Sequence, residues 1–427
     1  MDYSKSGLNL LRTILDPLNS ASIMAIATPI GCILSSVSMR RGRRFAMMGI
    51  SMISAIGWLV IYLAPDVIHI LVGRAICGIA MGLASTPATV YAAEISAPKL
   101  RSIVVTWTSV AIAIGILIVY IFGYIFQTNW RLVALLCGIF PILSIILVAI
   151  KMPESPVWLR STGRGSEAEE ISSNLSGIRK EDRIDCLMES QELSSANIEH
   201  NRKINRDYSF RGPLLTRDNL KPFFIILGYF FFQQFSGIFV VIYYAVDFTL
   251  EAGVRIDGHL AAIFIGVTRL LGTIGVSYAS RKYGRRISSI VSGSGMTIFM
   301  GILAAYLWAN SRGYGINDHG VIPVLSILMY ILTSTMGFLV LPFAMIGEIY
   351  PARVKDVYSG ITTCFAYVFS FIVLKIYSDM LKAFDKHGVF LFYGIMSLIG
   401  TIFVALFLPE TKGRTVFLWI FFLNFSF

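Results

Sequence analysis

Charge is scarce in this chain of 427 residues: Asp, Glu, Lys and Arg together make up 14% of it, against about 25% in a soluble globular domain. That scarcity excludes an ordinary water-soluble protein. Cysteine is scarce too, five in all, with Cys32, Cys77, Cys137 and Cys364 in apolar stretches and Cys186 in a polar one. No disulfide framework is expected, and the thiols read as small packing residues. No nucleophile, general base or metal-ligand set converges anywhere, so neither an enzyme nor a bound cofactor is expected.

Apolar residues fill the space that charge leaves, at 56% of the chain, and mean hydropathy is +0.71. A hydrocarbon layer ~30 Å thick takes about 17–25 apolar residues to cross as a helix. Stretches of that kind lie near 20–39, 45–64, 68–92, 102–126, 130–151, 219–246, 258–279, 287–308, 322–346, 356–379 and 387–408, so an all-α membrane protein with about 11 spans is expected. Lys and Arg concentrate in cytoplasmic loops. The clusters Arg40 to Arg44, Lys99 with Arg101, Arg281 to Arg286, and Arg353 with Lys355 fall on alternate connections, on the side of the long polar segment 152–218. Those loops account for the net charge of +11 without any nucleic acid. The expected order is an extracellular segment 1–19, a transmembrane half 20–151, a cytoplasmic linker 152–218 with short helices, a second transmembrane half 219–408 and a cytoplasmic tail 409–427.

The two halves echo each other. RRGRR at 40–44 returns as RKYGRR at 281–286, AEISAPKLR at 93–101 as GEIYPARVK at 347–355, and PESP at 153–156 as PETKGR at 409–414. Three pairs in one order mean a duplicated bundle, an architecture that in membranes belongs mostly to transporters with a site between the halves. The tight Gly-Arg-Arg turns predict that Arg43 and Arg285 reach Glu94 and Glu348 on neighbouring helices. Arg101 and Lys355 follow those acids by seven residues, about two helical turns. These six residues are the candidate gating ion pairs; solvated loop charge obeying the orientation rule is the alternative.

In FFQQFSGIFVVIYYA, residues 231–245, Gln233 and Gln234 stand side by side in an otherwise apolar run. A buried amide without a partner costs about 1–3 kcal/mol, so the pair asks for a polar ligand, a polar neighbour or water. A Gln amide both donates and accepts, as a sugar hydroxyl does; a helix-to-helix hydrogen bond is the other use. Gly237 permits close helix approach or local unwinding. Tyr243 and Tyr244 offer either a stacking face for a ligand or ordinary packing.

The ordered set GRR, Gly73–Arg74 with PATVYAAEI, Arg101, PESPVWL, QQFSG with Tyr243–Tyr244, the second GRR, GEIYP and PETKG resembles the sugar porter family of the major facilitator superfamily, in particular its insect facilitated trehalose and animal facilitative glucose transporters. The resemblance implies a major facilitator fold of two six-helix halves, here lacking the first transmembrane helix. It also implies facilitative transport of trehalose or a hexose-like sugar across the plasma membrane by alternating access, with a sugar and membrane lipid as the partners and no cofactor. The family's two sugar-binding glutamines match Gln233 and Gln234. Other family positions differ: its binding Asn is Phe239, a Gln is Ser109, a Trp is Phe343 and an Asn is Ala366. The acid three residues before the Gly of each GRR is Met39 in one half and Arg281 in the other.

Two rival readings follow from those departures. One is a non-transporting sugar sensor that keeps the fold. The other is a carrier of a different polar or anionic solute, for which Arg269, near the middle of its span, is the discriminating residue. No carboxylate sits near mid-membrane, Asp247 and Glu251 lying at an outer end, which favours facilitated diffusion over proton symport.

Overall fold

Every regular element in the computed structural model is a helix, and no strand occurs among the described residues. The structure describes residues 17–96, 101–176, 217–251, 257–314, 320–350 and 355–410. Cys186, most of the segments 1–19, 152–218 and 409–427, and the side chains of Arg101, Asp247, Glu251, Arg281, Glu348 and Lys355 lie outside the described residues.

The first half contributes α1 (Pro17–Ser38), α2 (Arg43–Tyr62), α3 (Val67–Ala84), α4 (Pro87–Ile95), α5 (Arg101–Ile125) and α6 (Trp130–Lys151). Two short helices follow, α7 (Pro156–Ser161) and α8 (Gly165–Ser176). Pro156 opens α7, where its missing N–H costs nothing, and the Ser155 hydroxyl caps it by accepting from the Trp158 amide. The second half is built from α9 (Arg217–Phe235), α10 (Ile238–Tyr243), α11 (Ala245–Glu251), α12 (Gly258–Tyr283), α13 (Arg285–Ser311), α14 (Val321–Thr335), α15 (Leu341–Ile349) and α16 (Lys355–Phe407).

Among the described residues, eight helical stretches are long and apolar enough to cross a membrane, while α9 and α14 are shorter apolar helices. Three of the expected stretches, 68–92, 219–246 and 322–346, fall on interrupted helices. Many large apolar side chains point outward, Trp107, Ile150 and Leu406 among them, each about 70% exposed. Water would not tolerate that belt; lipid tails do.

Helices α1 and α3 meet through Gly31, Gly78 and Gly82, where any side chain would collide with the facing backbone. Small residues let backbones approach when lipid supplies no hydrophobic drive. The larger core lies in the second half, around Tyr229, Phe230, Phe248, Tyr330, Phe338, Phe390 and Tyr393, all fully buried. The halves touch along a seam. There Gly266 of α12 backs on Leu117 and Tyr120 of α5, and the Tyr120 hydroxyl donates to the Ile242 carbonyl at 2.7 Å.

Helix α16 runs for 53 residues, about 80 Å if straight, far more than one crossing requires. It is not straight. Asp385 interrupts it with φ 53° and ψ 174°, and the contacts on either side reveal a hairpin. Phe223, Phe231 and Tyr244 meet Tyr358, Phe369 and Tyr377 in the same order. By contrast, Phe248 and Phe232 meet Phe390 and Phe403 in reversed order. The two limbs thus flank the segment α9–α11, one parallel to it and one antiparallel.

Asp385 is the only non-glycine residue at positive φ among the described residues, and with ψ near 180° it holds a conformation that strongly favours glycine, at a cost of about 1–3 kcal/mol. Asp385→Gly is expected to raise the thermal midpoint of the detergent-purified protein by a few degrees; a lowered midpoint would show that the Asp385 side chain stabilises the turn by more than its backbone strain costs.

Candidate functional site

The glutamine pair stands where α9 stops. Ser236 and Gly237 end it, with Gly237 in the left-handed region at φ 85° and ψ 3°. A side chain at Gly237 would also press on the Tyr393 ring, whose atoms lie 2.7 Å from where its Cβ would be. Only glycine satisfies both demands. The carbonyl freed at Ser236 accepts from the Tyr330 hydroxyl of α14 at 2.7 Å. The second interruption, between α14 and α15, is treated likewise: Nε2 of Gln233 donates to the carbonyls of Phe338 at 2.7 Å and Leu339 at 2.9 Å. Each broken helix therefore supplies the hydrogen bond that the other one lacks.

That arrangement commits one end of Gln233 and leaves the other. Both glutamines are fully buried, and the Oε1 atoms of both have no hydrogen-bond partner. A buried acceptor left unmet is costly enough to need explanation; a ligand bearing hydroxyl donors would meet it.

The aromatic candidates divide. Tyr244 is buried and stacks on Tyr377, with ring centroids 5.6 Å apart and planes at 10°, and Phe343 packs edge-on against Phe230 at 4.8 Å. Tyr244 belongs to the protein interior. Phe343, Tyr243 and Phe239 are only partly buried, and the Tyr243 hydroxyl lies 4.0 Å from the Met81 sulfur of α3. Ser109 is half-buried on α5, while Ala366 is fully buried. Arg269 is 8% exposed; its Nε and Nη1 have no hydrogen-bond partner, and neither has Nε of Arg74 on α3.

At the other candidate cluster, Arg43 grips Glu94 with two hydrogen bonds, Nε to Oε2 at 2.9 Å and Nη2 to Oε1 at 2.7 Å. The ion pair joins α2 to α4 within one half, and both side chains are more than four-fifths buried. Arg285 has a polar or ring contact of its own.

Reading the sequence missed the acids that complete this cluster. Glu154, from PESP, accepts from the backbone amides of Arg43 at 2.8 Å and Arg44 at 3.2 Å. Glu410, from PETKG, accepts from Arg285 at 2.9 Å and Arg286 at 3.2 Å. In each half a carboxylate thus caps the first turn of a helix, meeting orphan N–H groups at its positive end. The preceding glycines, Gly42 and Gly284, sit at φ 116° and 92°, and a Cβ on either would collide with the capping carboxylate. Arg44 and Arg286 then donate back to the carbonyls of Ala149 and Ala405, five residues before each acid. The signal was available: both motifs recur in both halves, and recurrence together implies contact.

Replacing Glu154 or Glu410 by Ala strips two charge-assisted hydrogen bonds, each worth about 1.5–3 kcal/mol. Each variant is expected to lose several degrees of thermal midpoint, with Glu→Gln losing less because the amide oxygen still accepts. Unchanged midpoints in both Ala variants would show the caps to be dispensable.

Comparison with known proteins agrees with this geometry. The family model described as "Sugar (and other) transporter" matches residues 12–419. A facilitated trehalose transporter of Drosophila grimshawi is 33% identical over 88% of this chain and 39% of its own length. Its counterpart in Polypedilum vanderplanki is 31% identical over 88% of this chain and 73% of its own. The chain thus spans about two fifths of the Drosophila relative. Among solved structures, the major facilitator superfamily proton:xylose symporter XylE superimposes with a TM-score of 0.75 at 24% identity, covering 96% of this chain and 92% of that one. That likeness shows the fold. With the family model covering most of its length, the chain belongs to the sugar transporter family, as a multi-pass membrane protein with the major facilitator fold.

Proposed function

We propose that this protein carries a sugar, trehalose or a hexose-like one, down its gradient across the plasma membrane by alternating access. The reading rests on one observation above all: two amide oxygens, on Gln233 and Gln234, are buried without partners beside the αL break at Gly237. Sugar hydroxyls are donors of the kind those oxygens lack. Interrupted helices at a central site are the common device of secondary transporters, because unwound backbone can face a polar solute only where protein or water surrounds it. The relatives described as facilitated trehalose transporters support the substrate class.

Facilitated diffusion is favoured over proton coupling because the spanning stretches carry no Asp or Glu near mid-depth. The same chemistry makes the protein a carrier and not an enzyme: no bond is formed or broken. We assign the gating role to the clusters Arg43, Glu94 and Arg101, and Arg285, Glu348 and Lys355, stiffened by Glu154 and Glu410. Networks of a few such contacts weigh several kcal/mol, the scale that sets which of two conformations is populated.

The test is uptake of labelled trehalose and glucose by cells expressing the chain, normalised to surface protein. Saturable uptake is expected, and Gln234→Ala should lower it about tenfold or more while the protein still folds. Gln233→Ala should also lower the thermal midpoint, because the carbonyls of Phe338 and Leu339 lose their donor. Normal surface levels without uptake of either sugar would sink the reading.

A further inference from the structure

Arg269 is the least compensated charge in the described structure. Its guanidinium lies in the seam between the halves: Gly266, one turn earlier on the same helix, backs on Leu117 and Tyr120 of α5, and residues three apart share a helix face. The hydroxyls of Tyr120 and Tyr243 lie within electrostatic range of it. Tyr243 lies within the same range of Arg74, which enters from α3 with its own Nε unpartnered. Tyr243 thus lies within electrostatic range of both cations, and a phenol is neutral at physiological pH.

No countercharge balances them. Neither arginine makes an ion pair among the described residues, and Nε and Nη1 of Arg269 lack even a neutral acceptor. The Tyr120 hydroxyl nearby is already spent on the Ile242 carbonyl. A buried cation without hydrogen bonds or a counter-ion is severely penalised, and such arginines inside membranes serve a ligand or a conduction path more often than the fold.

The unmet groups are of two kinds. The arginines offer charged donors; Gln233 and Gln234, about ten residues before Tyr243 on the segment α9–α11, offer neutral acceptors whose partners must donate. Gln233 cannot answer with its own N–H groups, which are committed to Phe338 and Leu339. A solute satisfying both kinds carries hydroxyls and one anionic group. A guanidinium edge matches a carboxylate in planar, two-bonded geometry.

We propose that the solute recognised at the central site is a sugar acid, its carboxylate held by Arg269 in the field of Arg74 and its hydroxyls donating to the oxygens of Gln233 and Gln234. The assignment rests on the transport reading above and narrows it from neutral sugars to polyhydroxylated carboxylates. Phe239 and Phe343, where the resemblance led one to expect amide and indole groups for a neutral sugar, fit the same shift.

The test uses the purified full chain in proteoliposomes, with labelled D-glucuronate, D-glucose and trehalose offered separately. Saturable glucuronate uptake above that of either neutral sugar is expected. It should fall about tenfold or more in Arg269→Gln and recover in part in Arg269→Lys, which restores the charge. Arg269→Gln should keep or raise the thermal midpoint, since it removes an unpaired buried charge; a fall would mark Arg269 as a structural residue and overturn the proposal. Should that variant resist purification, the native protein decides: glucuronate must raise its midpoint more than glucose does, or the proposal falls. Uptake of glucose or trehalose without glucuronate overturns the sugar-acid assignment and leaves sugar transport standing. Absence of all three fluxes, with no midpoint shift from any of the three, overturns both.

Discussion

Inside a lipid layer there is no water to complete a broken helix, so every interruption must find its hydrogen bonds within the protein. That constraint organises the second half of this molecule. The break after α9 is completed by Tyr330 of α14, and the break after α14 is completed by Gln233 of α9. Neither opening is stable without the other. Because the Gln233 amide must turn its nitrogen toward Phe338 and Leu339, its oxygen is left facing elsewhere, and the polarity of the site is set by a backbone requirement. Gly237 is fixed by the same geometry, as are the rings of Tyr393 and Phe338 that close around the two breaks.

The ends of the helices obey the same rule where the apolar spans give way to polar loops. Glu154 and Glu410 each occupy the first turn of a Gly-Arg-Arg helix, and Arg44 and Arg286 each return to the end of the helix that precedes the acid. One duplicated unit thus ties four termini, two in each half. Arg43 with Glu94 adds a further tie between α2 and α4. Both halves are thereby tied at their polar ends, while the seam between them is made by α1 against α16 and by α12 against α5, with small and aromatic contacts around Gly266 and Tyr120.

Much of this was legible in the residues. Apolar run length located the helices, because lipid imposes that rule directly. The repeats pointed to the duplication, and the oddness of two glutamines among phenylalanines singled out the pair whose oxygens the structure leaves unmet. Other features were hidden for physical reasons. That Gln233 would spend its nitrogen on backbone carbonyls depends on where another helix breaks, over a hundred residues later, and no local pattern encodes that. Tyr244 could not be told from a ligand-facing aromatic because ring chemistry is the same in a core as in a cavity. The acids at 154 and 410 lay in plain sight, but their partners are helix-terminal amides, which every sequence contains. Arg269 stood out by charge alone; only the structure showed that nothing answers it.

The hairpin at Asp385 bears on how the molecule is made. Its two limbs clasp the segment α9–α11 from both sides, through Phe231 with Phe369 and Phe232 with Phe403. A ribosome releases the chain from its first residue to its last, so the glutamine segment enters the membrane well before the residues that enclose it exist. During that interval Gly237 has no Tyr393 beside it and Ser236 no Tyr330. The glutamine segment is therefore among the first parts of the second half to be inserted and among the last to be finished, and a chain that stops short of residue 400 would leave it open to lipid.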